Sequence, residues 1–279
     1  MNQKSRRNFL KVSGLAAAGT LVSIDSSNAL AAPAKGSEIK LGVASYSLRK
    51  FSTAEALAMT KRVGLNYICY KSMHLAMDAS VDELKAAGKA AYDAGVNLYG
   101  AGVVYMKSKE AVDQAFEYAK HAGMSVIVGV PNHELLGYVN DKIKTYNIKV
   151  AIHNHGPGDK LYPSPESIYE KVKDLDPRFG MCMDIGHTQR IKHDPIASAK
   201  KYFDRLFDVH LKDVDKSEAD GKTIEIGRGV IDIPGFLEVI VKKGYQGVLS
   251  VEYEKDADDP LAGLAESVGY VKGCLATIG

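Results

Sequence analysis

Four short apolar stretches in the second half of this 279-residue chain end in side chains able to bind metal ions. They are AIHNH (151–155), MDIGH (183–187), VHLKD (209–213) and VEYE (251–254). Imidazole nitrogen together with carboxylate oxygen suits Mn2+, Fe2+, Co2+ or Zn2+, with Mn2+ as first choice, better than Ca2+ or a thiolate-seeking ion. Taken singly, each residue has an ordinary structural role. Asp184 and His187 can cap a helix, His210 can be a hydrogen-bonded core histidine, and Glu252 can pair with Lys212. Four polar side chains at four successive strand ends are another matter, because each needs a partner when buried and one shared cation serves them all. His153, Asp184, His210 and Glu252 are therefore read as ligands of a divalent cation.

Residues two apart on a strand point the same way. An inward His153 brings His155 with it, Asp184 brings Cys182, His210 brings Lys212, and Glu252 brings Ser250 and Glu254. Such a site can polarise a carbonyl and stabilise the enolate-type anion formed when the adjacent C–H proton leaves. Glu252, Glu254, His155, His187 and Lys212 are within the group that could carry that proton, with Glu252, His155 and Lys212 the catalytic choice. A nearby cation is expected to lower the Lys212 pKa, and a salt bridge from Lys212 to Glu252 or Glu254 is an equal alternative.

The elements that must position these residues repeat strand then helix. Strand-like runs fall at 39–46, 66–70, 98–105, 125–130, 149–153, 180–184, 207–211 and 247–253. Helical periodicity fills 53–63, 81–94, 109–122, 133–145, 165–175, 196–206, 233–243 and 261–275. Ser52, Ser80, Ser108 and Ser164-Pro165 mark helix starts; Gly64, Gly95, Gly123 and Gly244 mark stops. Eight such units predict a single (β/α)8 barrel, in which the ends of the strands share one rim. The longer segments 71–79, 155–163 and 214–231 all follow strands, so they are expected to wall a pocket on that rim. No strand carries GxGxxG into a helix, and Gly227-Arg228-Gly229 reads as a turn whose Arg228 could meet an anion.

At these residues the chain resembles the xylose isomerase-like barrel superfamily, in its sugar phosphate isomerase/epimerase branch. That superfamily includes sugar isomerases, ketose 3-epimerases, inosose dehydratase and abasic-site endonucleases. LGVASYSLR (41–49) resembles its first strand; MDIGH, VHLKD and VEYE resemble its sixth, seventh and eighth strand signatures. The resemblance covers the chain from residue 32 onward. It implies divalent-metal binding by Asp184, His210 and Glu252 and substrate contact by His187, with Glu254 and Arg228 as further substrate-side candidates. The fifth strand departs from the pattern: His153 stands where ketose epimerases have a glutamate that ligates metal and moves a proton. One carboxylate of a symmetrical pair is thus missing. The expected activity is isomerisation or epimerisation of a keto-sugar. The alternatives are a lyase eliminating water or an aglycone from a 3-keto-sugar, and an exported sugar-binding protein without turnover.

The N-terminus reads as an export signal. Ser5-Arg6-Arg7-Asn8-Phe9-Leu10-Lys11 precedes an apolar, small-residue stretch (12–22) and an Ala29-Leu30-Ala31 cleavage site, which resembles a twin-arginine signal over residues 1–31 and predicts a periplasmic barrel over 32–279. Removing Lys4, Arg6, Arg7, Lys11 and Asp25 turns the formal +2 into about −1. A near-neutral mature chain without Lys/Arg runs argues against nucleic acid as partner, and no apolar run is long enough to span a bilayer. The expected partner is a small carbohydrate, with oligomerisation left open. The three cysteines, Cys69, Cys182 and Cys274, show no CxxC spacing and read as free thiols.

Overall fold

The computed structural model describes residues 39–278. The export signal expected over residues 1–31, and the domain boundary placed after it, lie outside the described residues. Eight parallel strands close into a barrel: β1 Lys40–Ala44, β2 Tyr67–Tyr70, β3 Asn97–Met106, β4 Val126–Pro131, β5 Lys149–His153, β6 Phe179–Asp184, β7 Leu206–Leu211 and β10 Val248–Val251. The first strand closes the ring on the last, with Val43 opposite Val251. Between β7 and β10 a small antiparallel hairpin pairs β8 (Asp213–Val214) with β9 (Thr223–Ile224).

Helices cover the outside: α1 Thr53–Arg62, α2 Val81–Asp93, α3 Lys109–His121, α4 Leu136–Tyr146, α5 Pro165–Val172, α6 Ile185–Arg190, α7 Pro195–Lys201, α8 Ile233–Lys242 and α9 Leu261–Thr277. Strands are covered on one face by helices and on the other by the barrel interior, which is why VIVGVP in β4 and FGMCMD in β6 are buried throughout. Ser52 and Ser80 close capping boxes with Glu55 and Glu83, satisfying two backbone donors at each helix start. Gly64 ends the α1 turn at φ +75°, a conformation that costs a side-chain-bearing residue about 1 kcal/mol or more.

Several predicted boundaries shift for local reasons. The first strand stops at Ala44 because Ser45–Leu48 turn into a 3-10 helix. The last stops at Val251, where the Tyr253 amide donates to Ser47 Oγ (2.8 Å) instead of to a neighbouring strand. The fourth predicted helix opens with a 3-10 turn, His133–Leu135, before α4 begins. The six-residue α6 was not expected; it exists because Asp184, the last residue of β6, caps it by accepting from the His187 amide at 2.7 Å.

Asp213 organises the long segment after β7. Its buried carboxylate accepts from the amides of Val214 (2.9 Å), Gly227 (2.9 Å), Gly229 (3.0 Å) and Ile231 (3.2 Å). Both ends of that segment are thereby tied to one side chain at the rim. No helix among the described residues is long and apolar enough to cross a membrane.

Candidate metal centre

The four residues read as ligands converge at the C-terminal rim. Donor atoms of His153, Asp184, His210 and Glu252 all lie within 4.8 Å of one another, and all four side chains are buried. Donors held by one ion at about 2.1 Å stand no more than about 4.2 Å apart, so closing on an ion needs only a few tenths of an ångström. Strand register makes the arrangement: His153 lies opposite Cys182, and Asp184 and Ser250 lie opposite His210.

Two features fit a cation there. His153 Nε2 and His210 Nδ1 face each other at 3.0 Å, with Glu252 Oε2 3.2 Å from His210 Nδ1 and Asp184 Oδ2 3.7 Å from His153 Nε2. Asp184 also divides its labour, since Oδ1 caps α6 while the buried Oδ2, which makes no well-aligned hydrogen bond, rests 3.0 Å from the Lys212 ammonium. A buried carboxylate oxygen without a partner is costly unless something positive sits against it. The donor set of two nitrogens and two oxygens suits the first-row divalent ions.

Electrostatics holds His153, Asp184 and Glu252 in the states a cation needs, whereas on His210 it favours the proton that a cation would displace. Burial pushes the His153 pKa down to about 3, so its ring is neutral and offers a lone pair. Burial raises the carboxylates, but His187 and Lys212 beside Asp184, and His210 and Lys212 beside Glu252, outweigh it and keep both ionised well below the usual range. Burial opposes a charge on His210, yet Glu252 and Asp208 lift its pKa above the ordinary value.

Lys212 is the local counter-charge. Its fully buried ammonium sits 3.0 Å from Asp184 Oδ2 and 2.8 Å from Glu252 Oε2, and it also meets Glu254 Oε1. Burial pulls its pKa down, but Asp184, Glu252 and Glu254 hold it well above the usual lysine value. The salt-bridge alternative is the observed geometry. Gly186 in MDIGH makes room for this lysine, because a Cβ there would stand 2.8 Å from Lys212 Cδ.

His155 flanks the cluster, its ring 4.5 Å from that of His153. Its Nε2 lies 3.2 Å from the Tyr105 hydroxyl and its Nδ1 3.4 Å from Asp159 Oδ2, while burial lowers its pKa. His187 Nε2 stands 3.7 Å from Asp184 Oδ2, and burial lowers its pKa too. Arg228 is placed elsewhere: its guanidinium forms a two-pronged ion pair with Glu266 on α9 and is exposed. The glycine-flanked arginine expected to meet a substrate anion is therefore a surface anchor for the loop.

Sequence reasoning missed the residues that steady the ligands. Asn154 Oδ1 accepts from the Asp184 amide (3.0 Å), and its Nδ2 donates to the Asp184 carbonyl (3.3 Å) and to Thr188 Oγ1 (3.2 Å). Ser47 and Arg49 hold the stretch that carries Glu252: Arg49 donates to the Glu254 carbonyl at 2.8 Å. Beneath the cluster, Asp208 accepts from the Tyr99 hydroxyl, which also meets Ser250. Burial pushes the Asp208 pKa up to about 6. A cavity of about 170 Å3 adjoins the rim, bordered by Lys71, Val103, Tyr105 and the buried, unpartnered hydroxyl of Tyr70.

Comparison with known proteins gives the same picture at the level of fold. The model of the xylose isomerase-like TIM barrel family matches residues 57–274. An inosose dehydratase of Mesomycoplasma hyopneumoniae is 28% identical over 153 residues, 48% of this chain and 50% of that protein. The chain thus spans about half the length of the curated relatives it matches. A solved structure of an uncharacterised protein from Parabacteroides distasonis is 25% identical with a TM-score of 0.67, covering 85% of this chain and 99% of its own. An L-ribulose 3-epimerase structure superposes with a TM-score of 0.72 at 15% identity, over 86% of this chain and 96% of its own.

Proposed function

Because the chain belongs to the xylose isomerase-like TIM barrel family, we propose that it is a divalent-metal-dependent isomerase or epimerase acting on a keto-sugar or a close sugar derivative. The observation that carries this reading is the convergence of His153, Asp184, His210 and Glu252, four buried side chains whose donor atoms lie within 4.8 Å of one another. These four residues would hold the ion, Mn2+ by first choice. Once bound, it would polarise the substrate carbonyl and stabilise the enediolate left when the neighbouring C–H proton departs.

The chain's own groups do the rest. His155 sets Nδ1 3.4 Å from Asp159 Oδ2 and Nε2 3.2 Å from the Tyr105 hydroxyl, so its neutral ring can take a proton from a substrate that enters beside Tyr105. Lys212 keeps Glu252 and Glu254 oriented and presents an ammonium proton to a substrate oxygen. Tyr105 and His155, whose rings stack at 5.9 Å, form an aromatic wall for a sugar face.

One observation favours a second reading, a lyase that eliminates water or an aglycone from a 3-keto-sugar. The fifth strand ends in His153 and not in a carboxylate, so the groups flanking the site are unlike: a neutral imidazole at His155 and an ammonium at Lys212. A base and an acid of different character suit elimination, whereas epimerisation favours a matched pair. The inosose dehydratase similarity points the same way.

Incubating Mn2+-loaded protein with ketoses and 3-keto-glycosides in deuterated water separates these readings. Deuterium at a retained stereocentre supports the isomerase or epimerase; release of a leaving group supports the lyase. Sugar binding with no exchange of any substrate C–H would overturn both in favour of an exported binding protein. The proposal includes twin-arginine export to the periplasm, supported by Arg6-Arg7 and Ala29-Leu30-Ala31. Fractionation of cells expressing Arg6→Lys/Arg7→Lys tests it, with retention inside the cell the expected result.

A further inference from the structure

Two ring nitrogens of the metal centre are unexplained by the ligand set above. His153 Nε2 and His210 Nδ1 face the carboxylates, but His153 Nδ1 and His210 Nε2 are buried without any hydrogen-bond partner. A histidine on a metal usually donates its second ring N–H to a carboxylate or carbonyl, which fixes the ring. Nothing fixes these two. One layer deeper in the barrel, Cys182 sits on the same inner side of β6 as Asp184, directly opposite His153 in register. It is a free thiol with no exposure to solvent. Donor atoms of His153, Cys182 and His210 all lie within 4.8 Å of one another, as tight a spread as the oxygen-rich quartet shows.

Two imidazoles and a thiolate have a different preference from two imidazoles and two carboxylates. Sulfur draws thiophilic ions, at about 2.3 Å for zinc, whereas carboxylate oxygen suits Mn2+ and Mg2+. We propose that the barrel holds a second, deeper cation position built from His153, Cys182 and His210, selective for thiophilic divalent ions such as Zn2+ or Cd2+. It disfavours an ion in the position with Asp184 and Glu252, because both positions draw on the same two histidine rings and two dications so close together repel. In forming it, the Cys182 S–H bond breaks, a sulfur–metal bond forms, and the proton passes to solvent. A thiophilic ion so placed draws the histidines away from Asp184 and Glu252 and stops turnover. The inference rests on the reading that His153 and His210 are ligands, and it adds a rule for which metals inhibit.

The test titrates Cd2+ into protein preloaded with Mn2+, following free Mn2+ by electron paramagnetic resonance and the thiolate-to-cadmium absorption in the near ultraviolet. The expected result is a rise in absorption that saturates at one Cd2+ per chain, matched by Mn2+ release. Cys182→Ala and the volume-conserving Cys182→Ser should both lose the absorption and weaken Cd2+ binding by about 100-fold or more, while still binding Mn2+. Cys69→Ala, which alters the other thiol in the barrel interior, should keep the absorption. Absorption that survives in both Cys182 variants overturns the deep position, as does Mn2+ displacement without any thiolate absorption. Absorption that depends on Cys182 but leaves Mn2+ in place overturns the competition between the two positions. A wild-type protein that fails to bind Mn2+ counts against the oxygen-rich site proposed above, and Cys182-dependent absorption in that same protein still supports the deeper one.

Discussion

Replacing Lys212 with Met removes a buried ammonium from between three carboxylates while keeping most of its volume. In protein stripped of metal, Asp184 and Glu252 would then be buried without the lysine that stands 3.0 and 2.8 Å from them. Taking one partner from a buried ion pair costs about 3–5 kcal/mol, because the remaining charge stays desolvated. For a domain of this size that is a fall in Tm of about 6–20 °C. A divalent cation should reverse much of it, since it meets the same two carboxylates. Metal at 100 to 1,000 times its Kd stabilises a protein by about 2.7–4.1 kcal/mol, and the variant's more negative cluster should gain more from Mn2+ than the wild type does. The assay is urea unfolding of both proteins in chelator and in saturating Mn2+. A loss below about 1 kcal/mol in chelator would show that Lys212 is not the counter-ion of this cluster. A loss equally large with and without Mn2+ would refute the idea that Asp184 and Glu252 share an ion.

Three further outcomes follow from the same geometry. Asp184→Asn should keep the α6 cap, because an amide oxygen also accepts from the His187 amide, yet lose Mn2+ binding by about 100-fold or more; calorimetry and circular dichroism together read the two roles apart. For His155, burial depresses the pKa, so the neutral base persists until pH falls through a value below 6.5, and the acid limb of kcat/KM should lie there. His155→Gln should abolish that limb, and an unchanged limb would assign it to another group. Asp213→Ala should strand four amide donors, cost about 3 kcal/mol or more, and expose segment 214–231 to protease before the barrel unfolds.

The barrel and its cluster of candidate ligands were legible because both follow from period. Alternation by two puts His153, His155, Cys182, Asp184, His210 and Lys212 on one side of three strands, and the structure finds them there. What stayed hidden depended on contacts between segments far apart in sequence. Asn154 points away from the barrel axis between two inward histidines, so its grip on Asp184 carries no periodic signal. Arg228 looked free because its partner, Glu266, lies on the last helix. The length of α6 was unreadable because six residues, one of them glycine, show too little period. The clue to its start was Asp184, whose capping role and ligand role turned out to be compatible, one for each oxygen.

The bridge from Ser47 to Tyr253 has a bearing on how the cluster assembles. Glu252 is seated only when the stretch after β10 meets the 3-10 turn that follows the first barrel strand, and the other donors come from β5 to β7. A chain in which that stretch has not yet docked therefore has a lone trio of donors and an open seam. An ion captured at that stage would be held loosely and exchange freely, so the ion proposed above would be secured only once the barrel has closed.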